Sequence, residues 1–191
     1  MLLRRTALLG VFMLAAGAAF AAQANDLDIN LGGNAASINY AAGLTSTGLQ
    51  AEFGYLHHTD SVDIGSAGLT VVGNSNPVGS PFLFAVGGKL FFISPKQTSG
   101  NGTVLGLGGH FNYTWPTYNR FTIGGELYYA PKIVAFNNAD RFLEYGVNAG
   151  YEILRNAEVY VGWRHVSAAF TNSNGNVTLD STFMVGLNFS F

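Results

Sequence analysis

The chain has 191 residues, no cysteine, only 10% charged residues and a formal net charge of −2. That length suits a single domain, the lack of cysteine excludes a disulfide scaffold, and the acidic balance argues against nucleic acid as a partner. Glycine (25 residues) and aromatic residues (14%) are both abundant.

The first stretch, MLLRRTALLGVFMLAAGAAFAAQA (1–24), reads as a cleaved secretory signal peptide. Arg4 and Arg5 form its positive start, residues 7–20 its apolar core, and Ala22-Gln23-Ala24 a small-x-small cleavage site. Cleavage is expected after Ala24, with Ala21 as the alternative. The apolar core has no polar face and is too short for a membrane span, and no later apolar run approaches ~20 residues. Losing Arg4 and Arg5 makes the mature chain more acidic. Residues 25–191 are then one domain.

From Asp26 onward the dominant signal is alternation. DLDINL (26–31) reads as a short strand turning at Gly32-Gly33-Asn34, followed by strands at 36–43, 48–57 and 61–72. In LQAEFGYLH, Leu49, Ala51, Phe53 and Tyr55 share one face, with Gln50, Glu52 and Gly54 opposite. The intervening LHHTDSVD holds His57, His58, Asp60 and Asp63. Imidazole and carboxylate are zinc ligands, but adjacent histidines on a strand point opposite ways, so the stretch reads as a solvated loop and no metal is expected. VLGLGGHFNYTW sets Leu105, Leu107, Phe111, Tyr113 and Trp115 against glycines, His110 and Asn112. Its glycines are not a phosphate cradle, because no helix follows. FTIGGELYY, LEYGVNAGYEI and EVYVGWRH repeat the pattern, placing Glu126, Glu144, Glu152, Glu158 and Arg164 on the polar parity.

A soluble sandwich also alternates. Here, however, the segments run to roughly 9–12 residues against the usual ~5–6, close to a tilted transmembrane strand. The polar face is Gly, Asn, Thr and Glu, with only Lys89, Lys96 and Lys132 as lysines in the chain. PTYN (116–119) and LRNA (154–157) are tight, whereas 94–102, 131–140 and 169–176 are longer and polar, as turns and loops alternate in outer-membrane barrels. The expected fold is therefore all-β: a transmembrane, antiparallel, up-and-down β-barrel. Ten strands are preferred, or eight if 26–43 is irregular. Hydrocarbon offers no partner to a free sheet edge, so the last strand must pair with the first.

The closing STFMVGLNFSF carries Phe183, Val185, Leu187, Phe189 and Phe191 on one face. It reads as the terminal strand that closes the barrel and marks it for insertion. Tyr113, Trp115, Tyr118 and Tyr151 sit at the depth of an aromatic girdle.

DLDINLGGNAASINYA, GYLHHTDSVDIGSAGL, VGGKLFFI, FTIGGELYYAPKIVAF and the closing VGLNFSF together resemble the YfaZ family of Gram-negative outer-membrane proteins. The most specific piece is Gly125-Glu126-Leu127-Tyr128-Tyr129-Ala130-Pro131. The resemblance implies an outer-membrane β-barrel and carries over no catalytic residue.

For function, the inward charges come first: Glu52, Lys89, His110, Glu126, Glu144, Glu152, Glu158 and Arg164. They read as an ion-paired plug, Lys89 and Arg164 pairing with glutamates, because isolated buried charge is very costly. The alternative is a narrow channel for small solutes or cations lined by carboxylates. A third reading, a lipid-facing esterase, rests on His165 and Ser167, which share a face with Trp163; a serine nucleophile also needs an acid to orient its histidine, and none falls on that face. The expectation is a non-enzymatic, cofactor-free, monomeric barrel of the outer membrane with an envelope role and a largely plugged lumen. Its expected partners are outer-membrane lipids, lipopolysaccharide and the barrel-assembly machinery.

Overall fold

The structure is a computed structural model and describes residues 25–44, 48–74, 81–96, 100–171 and 175–191. The expected leader, 1–24, lies outside them, as do 97–99 and 172–174 in two of the expected loops. Eleven strands follow in chain order: β1 (Asn25–Gly32), β2 (Ala35–Gly43), β3 (Leu49–His58), β4 (Val62–Asn74), β5 (Phe82–Pro95), β6 (Gly102–Thr114), β7 (Phe121–Ala130), β8 (Ala135–Asn137), β9 (Ala139–Leu154), β10 (Ala157–Phe170) and β11 (Asn176–Ser190). The expected strands 26–31, 36–43, 48–57 and 61–72 are β1 to β4.

Sequential strands pair antiparallel, and β1 pairs with β11 from Asp26↔Ser190 to Gly32↔Met184, which closes the sheet on itself. Closure satisfies the backbone where lipid cannot. The segment 131–140 differs from the expected polar loop. After a 3₁₀ turn at Lys132–Val134, β8 resumes the line of β7 and pairs with the upper part of β6 (Gly102↔Asn137, Val104↔Ala135), while β7 pairs with the lower part (Leu107↔Tyr129 to Thr114↔Thr122). β7 and β8 thus form one interrupted stave, and the barrel has ten staves. Pro131, with no N–H to donate, stands at the interruption.

The first and last described residues lie at one end, here the near end, where Asn25 and Phe191 exchange two backbone hydrogen bonds of 2.8 and 2.9 Å. The connections do not sort by length as the sequence suggested. Residues 33–34 and 59–61 make tight turns at the far end, as 155–156 does at the near end. The alternation of short and long holds only over the C-terminal staves.

Exposure follows the period-two pattern. Leu31, Val71, Val86, Leu107, Leu127, Val147, Val161 and Val185 all face outward and are exposed, presenting an apolar band to lipid. The inner face is divided along the barrel axis. At the far end the inward side chains are apolar: Leu56, Ile64, Phe91, Ile93, Val104, Phe142, Val166, Phe170 and Leu179 belong to one buried cluster. Phe91 and Phe142 meet within it, ring centroids 4.5 Å apart, and Tyr128 meets Phe91 edge-on at 5.9 Å. Towards the near end the inward side chains are polar.

Two local devices serve this arrangement. A register shift opposite Val166/Ser167 leaves Leu179 as an extra residue in β11. Consecutive residues then both point inward, Leu179 into the apolar cluster and Asp180 towards β10; both are buried. The second device is glycine in cross-strand slots. A Cβ at Gly68 would lie 2.5 Å from the Lys89 stem, and one at Gly106 would lie 2.7 Å from the Phe91 ring. Only glycine lets these long side chains cross their neighbouring strand within a narrow barrel.

Candidate functional site

The polar part of the lumen is a cavity of about 640 Å³. Its walls reach the near-end turns at Pro81, Asn119, Arg155 and Asn156, and its far limit is the apolar cluster, touched through Leu56, Ile64 and Phe91. Glu52, Lys89, His110, Glu126, Glu144, Glu152, Glu158 and Arg164 all line this one cavity, drawn from β3, β5, β6, β7, β9 and β10.

Directly beneath the apolar cluster these groups form a charged belt. Lys89 Nζ lies 2.7 Å from Glu52 Oε2 and 4.5 Å from the centre of the Tyr128 ring. Thr70 donates to Glu52 Oε1 at 2.6 Å, and His110 Nδ1 lies 3.8 Å from the same oxygen. Arg164 pairs with an aspartate, not with a glutamate as the sequence suggested: its Nε donates to Asp180 Oδ2 at 2.9 Å. Its Nη1 donates to Ser37 Oγ (3.1 Å) and Asn30 Oδ1 (3.3 Å), and Thr182 donates to Asp180 Oδ1 at 2.6 Å. Arg164 is 4% exposed and Asp180 1%, so this pair is a true interior one, and the surrounding donors and acceptors are what make its burial tolerable.

Nearer the mouth the carboxylates are held by neutral groups. Tyr160 donates to Asp28 Oδ2 at 2.6 Å, and Asn30 and Asn39 donate to Asp28 Oδ1. Thr122 donates to Glu158 at 2.7 Å, and Ser190 to Asp26. Glu126 and Glu144 differ. They sit on neighbouring strands, in register with Gly146 and Tyr128 respectively, and neither hydrogen-bonds or ion-pairs with a described residue.

Sequence reasoning found the inward charges because their parity is regular. It missed Asp28, Asn30, Ser37 and Tyr160 as partners, and above all the apolar cluster. The signal for that cluster was present: Leu90-Phe91-Phe92-Ile93 is apolar on both parities, so one of its faces has to fill the lumen.

The outward face carries the remaining candidates. Tyr113 and Trp115 meet at 5.8 Å, Tyr118 and Phe121 at 6.4 Å, and Phe121 and Tyr151 at 5.0 Å, so all four expected girdle residues lie at the near end. Phe183, Val185, Leu187, Phe189 and Phe191 are exposed along β11. Phe191 also holds the last rung of the seam with Asn25. Deleting it is expected to lower the fraction of protein reaching the assembled, heat-modifiable form in membranes; equal assembly of the shortened chain would leave the terminal ring without a role.

His165 lies against Tyr145 (5.1 Å) and Trp163 (6.0 Å). Ser167 is buried, and no carboxylate among the described residues orients His165. A serine and histidine without an orienting acid are not a catalytic triad. We expect Ser167→Ala to leave the acyl pattern of lipid A unchanged on mass spectrometry; an altered pattern would restore the esterase reading. In the β3–β4 hairpin, His57 Nδ1 lies 2.6 Å from Asp63, which also receives Tyr55 OH, and His58 Nδ1 accepts from the Asp60 and Ser61 amides. Among the described residues no three His, Cys, Asp or Glu side chains come together as a metal site.

A family model described as YfaZ precursor matches residues 3–191. The chain belongs to the YfaZ family. It is 29% identical over 156 residues to the outer membrane protein YfaZ of Escherichia coli (strain K12), covering 81% of this chain and 82% of that protein. This YfaZ-family barrel is accordingly a protein of the cell outer membrane. Among solved structures it is similar to the KdgM porin in complex with disordered oligogalacturonate (TM-score 0.48, 16% identity, 88% of this chain and 99% of that one). It is also similar to the NanC porin (TM-score 0.46, 10% identity, 89% and 100%).

Proposed function

We propose that this YfaZ-family protein is a non-enzymatic barrel with an envelope role, whose lumen is closed to conduction. The observation that carries the reading is the apolar cluster centred on Phe91 and Phe142, at the far end of the lumen. Ions would have to cross a stretch of barrel interior lined by Leu, Ile, Val and Phe, and apolar constrictions of this kind block permeation by shedding water. This reading moves the plug from the charged belt to the apolar layer above it. The belt then serves to hold the lower lumen together.

The near end faces the periplasm in this reading. A chain exported behind a cleaved leader enters the outer membrane from that side, and an even number of staves returns both termini to it. The seam strand β11 would be read by the barrel-assembly machinery, and the outward band by the bilayer, with lipopolysaccharide at the far end. Closure of β1 on β11 within one chain supports a monomer.

Planar-bilayer recording of the refolded protein tests the proposal. The expected trace has no large, stable conductance. A steady, porin-sized conductance would replace this reading with the narrow cation channel, which the acidic cavity walls favour.

A further inference from the structure

The outward face changes character along the seam. On β9, β10 and β11 the outward side chains of the middle of the wall are Val147, Val161 and Val185, all exposed. Towards the far end an aromatic row follows: Tyr145 and Trp163 meet at 5.4 Å, and Phe183, cross-strand from Trp163, is 81% exposed. Beyond that row the same parity turns polar, with His165 on β10 and the exposed Ser181, Thr178 and Asn176 on β11. This is also the stretch in which β11, from Asn176 to Phe183, pairs with β10 and with no other described strand. At its top, Arg141 of β9 reaches over Ala169 of β10 and donates to Asn176 Oδ1 at 2.8 Å. All 11 Asp and Glu residues of the chain are described, and none ion-pairs with Arg141. Its neighbours at the far end differ: Lys132 is taken by Asp140 at 3.1 Å and Lys96 by Asp63 at 3.5 Å. A guanidinium with a neutral partner, an imidazole, two hydroxyls and a free strand edge thus share one patch of outer wall.

We propose that this patch seats the phosphorylated sugar head group of a glycolipid in the outer leaflet. Arg141 meets the phosphate, whose oxygens match the fork of guanidinium N–H donors. His165, Thr178 and Ser181 hydrogen-bond the sugar hydroxyls, because each can donate and accept. The free edge of β11 adds backbone N–H and C=O groups to the same polar layer. The acyl chains lie against Tyr145, Trp163 and Phe183, since aromatic rings mark the boundary between head groups and hydrocarbon. A strand from a second copy is the other occupant a free edge invites. The side chains decide against it. An interface between two barrels lies in hydrocarbon, where exposed Ser181, Thr178 and Asn176 are costly, whereas a polar head group satisfies them. Charge agrees, since Arg141 lacks a carboxylate within the chain and a phosphate supplies the missing anion.

The proposal rests on the reading that the far end faces outward, and the two fail separately. The chain has no cysteine, so a single introduced thiol reports orientation. Maleimide labelling of intact cells is expected at Asn34→Cys and not at Asn156→Cys. The reverse pattern would put the patch in the inner leaflet and overturn the proposal, while leaving the closed lumen standing. Binding is tested by native mass spectrometry of the detergent-refolded barrel, first shown to be folded by heat-modifiable migration. The probe is bis-phosphorylated lipid A, with its dephosphorylated form, phosphatidylglycerol and inorganic phosphate in parallel. One lipid A per barrel is expected. Its affinity should fall at least tenfold on removal of the phosphates and at least tenfold in Arg141→Gln, with partial recovery in Arg141→Lys. Unchanged affinity in Arg141→Gln would overturn the proposal. So would equal retention of phosphatidylglycerol, which would leave an unselective lipid contact, or displacement of lipid A by inorganic phosphate, which would leave a simple anion site. A mass of two barrels without lipid would give the edge to a second copy and overturn it as well.

Discussion

Arg164→Ala is expected to destabilise the barrel by about 3–5 kcal/mol, the usual result of removing one partner from a buried ion pair. The loss comes less from the missing attraction than from what stays behind. Asp180 is 1% exposed, and without Arg164 it keeps, among the described side chains, only the Thr182 hydroxyl as a donor. Asn30 and Ser37 lose their shared donor at the same time. Urea unfolding of the protein in lipid vesicles, followed by the heat-modifiable gel shift, reads the change as a lower midpoint. A paired variant separates the two contributions. Arg164→Met/Asp180→Leu removes both charges and is expected to lie much closer to the parent protein, since replacing a whole buried pair with apolar groups is often neutral. If the single and double variants fell together, the cost would lie in packing and not in the stranded carboxylate.

Phe91→Ala/Phe142→Ala is expected to turn a silent barrel into a conducting one. The two rings meet at 4.5 Å within the apolar layer, and both side chains are almost wholly buried. Removing both opens space next to the water-accessible cavity, so the barrier that excludes water thins from its cavity side. Each truncation also costs on the order of 3–5 kcal/mol in lost packing. The recording must therefore use gel-shifted, folded protein. Discrete cation-favouring steps in the variant, absent from the parent, are the expected outcome, because the belt below is rich in carboxylates. A folded double variant as silent as the parent would place the barrier elsewhere in the lumen.

Much of this fold could be read from residues alone, for a simple physical reason. Lipid outside and water inside impose opposite chemistry on alternate residues, so Val159, Val161 and Trp163 against Glu158, Gly162 and Arg164 declare both strand and facing. The seam was equally legible, since a sheet in hydrocarbon has to close. Three features were not. The interruption at 131–134 depends on how β6 divides its pairing between β7 and β8, a tertiary fact with no local sign beyond Pro131. The pairing of Arg164 with Asp180 is diagonal, Arg164 standing opposite Thr182 and Asp180 opposite Val166, and alternation does not say which inward carboxylate an inward arginine takes. The apolar layer was hidden by the assumption that the inward face is polar along its whole length. Ile64, Ile93 and Val166 break that rule only near the far ends of their strands.

The seam has a consequence for how the barrel sits in its membrane. β1 is only eight residues long and pairs with β11 no farther than Met184. Beyond that point, from Asn176 to Phe183, β11 is paired on one side by β10 and on the other by no described strand. The wall is therefore lowest at the β1–β2 hairpin, and above it one edge of β11 offers its N–H and C=O groups to no strand among the described residues. Hydrocarbon cannot satisfy those groups, so headgroups or water must descend to meet them. The membrane boundary around this protein is therefore expected to be oblique, with a thinner bilayer at the seam than on the opposite wall of long staves. A lopsided collar of this kind would give a closed barrel a means of acting on its surroundings without passing anything through itself.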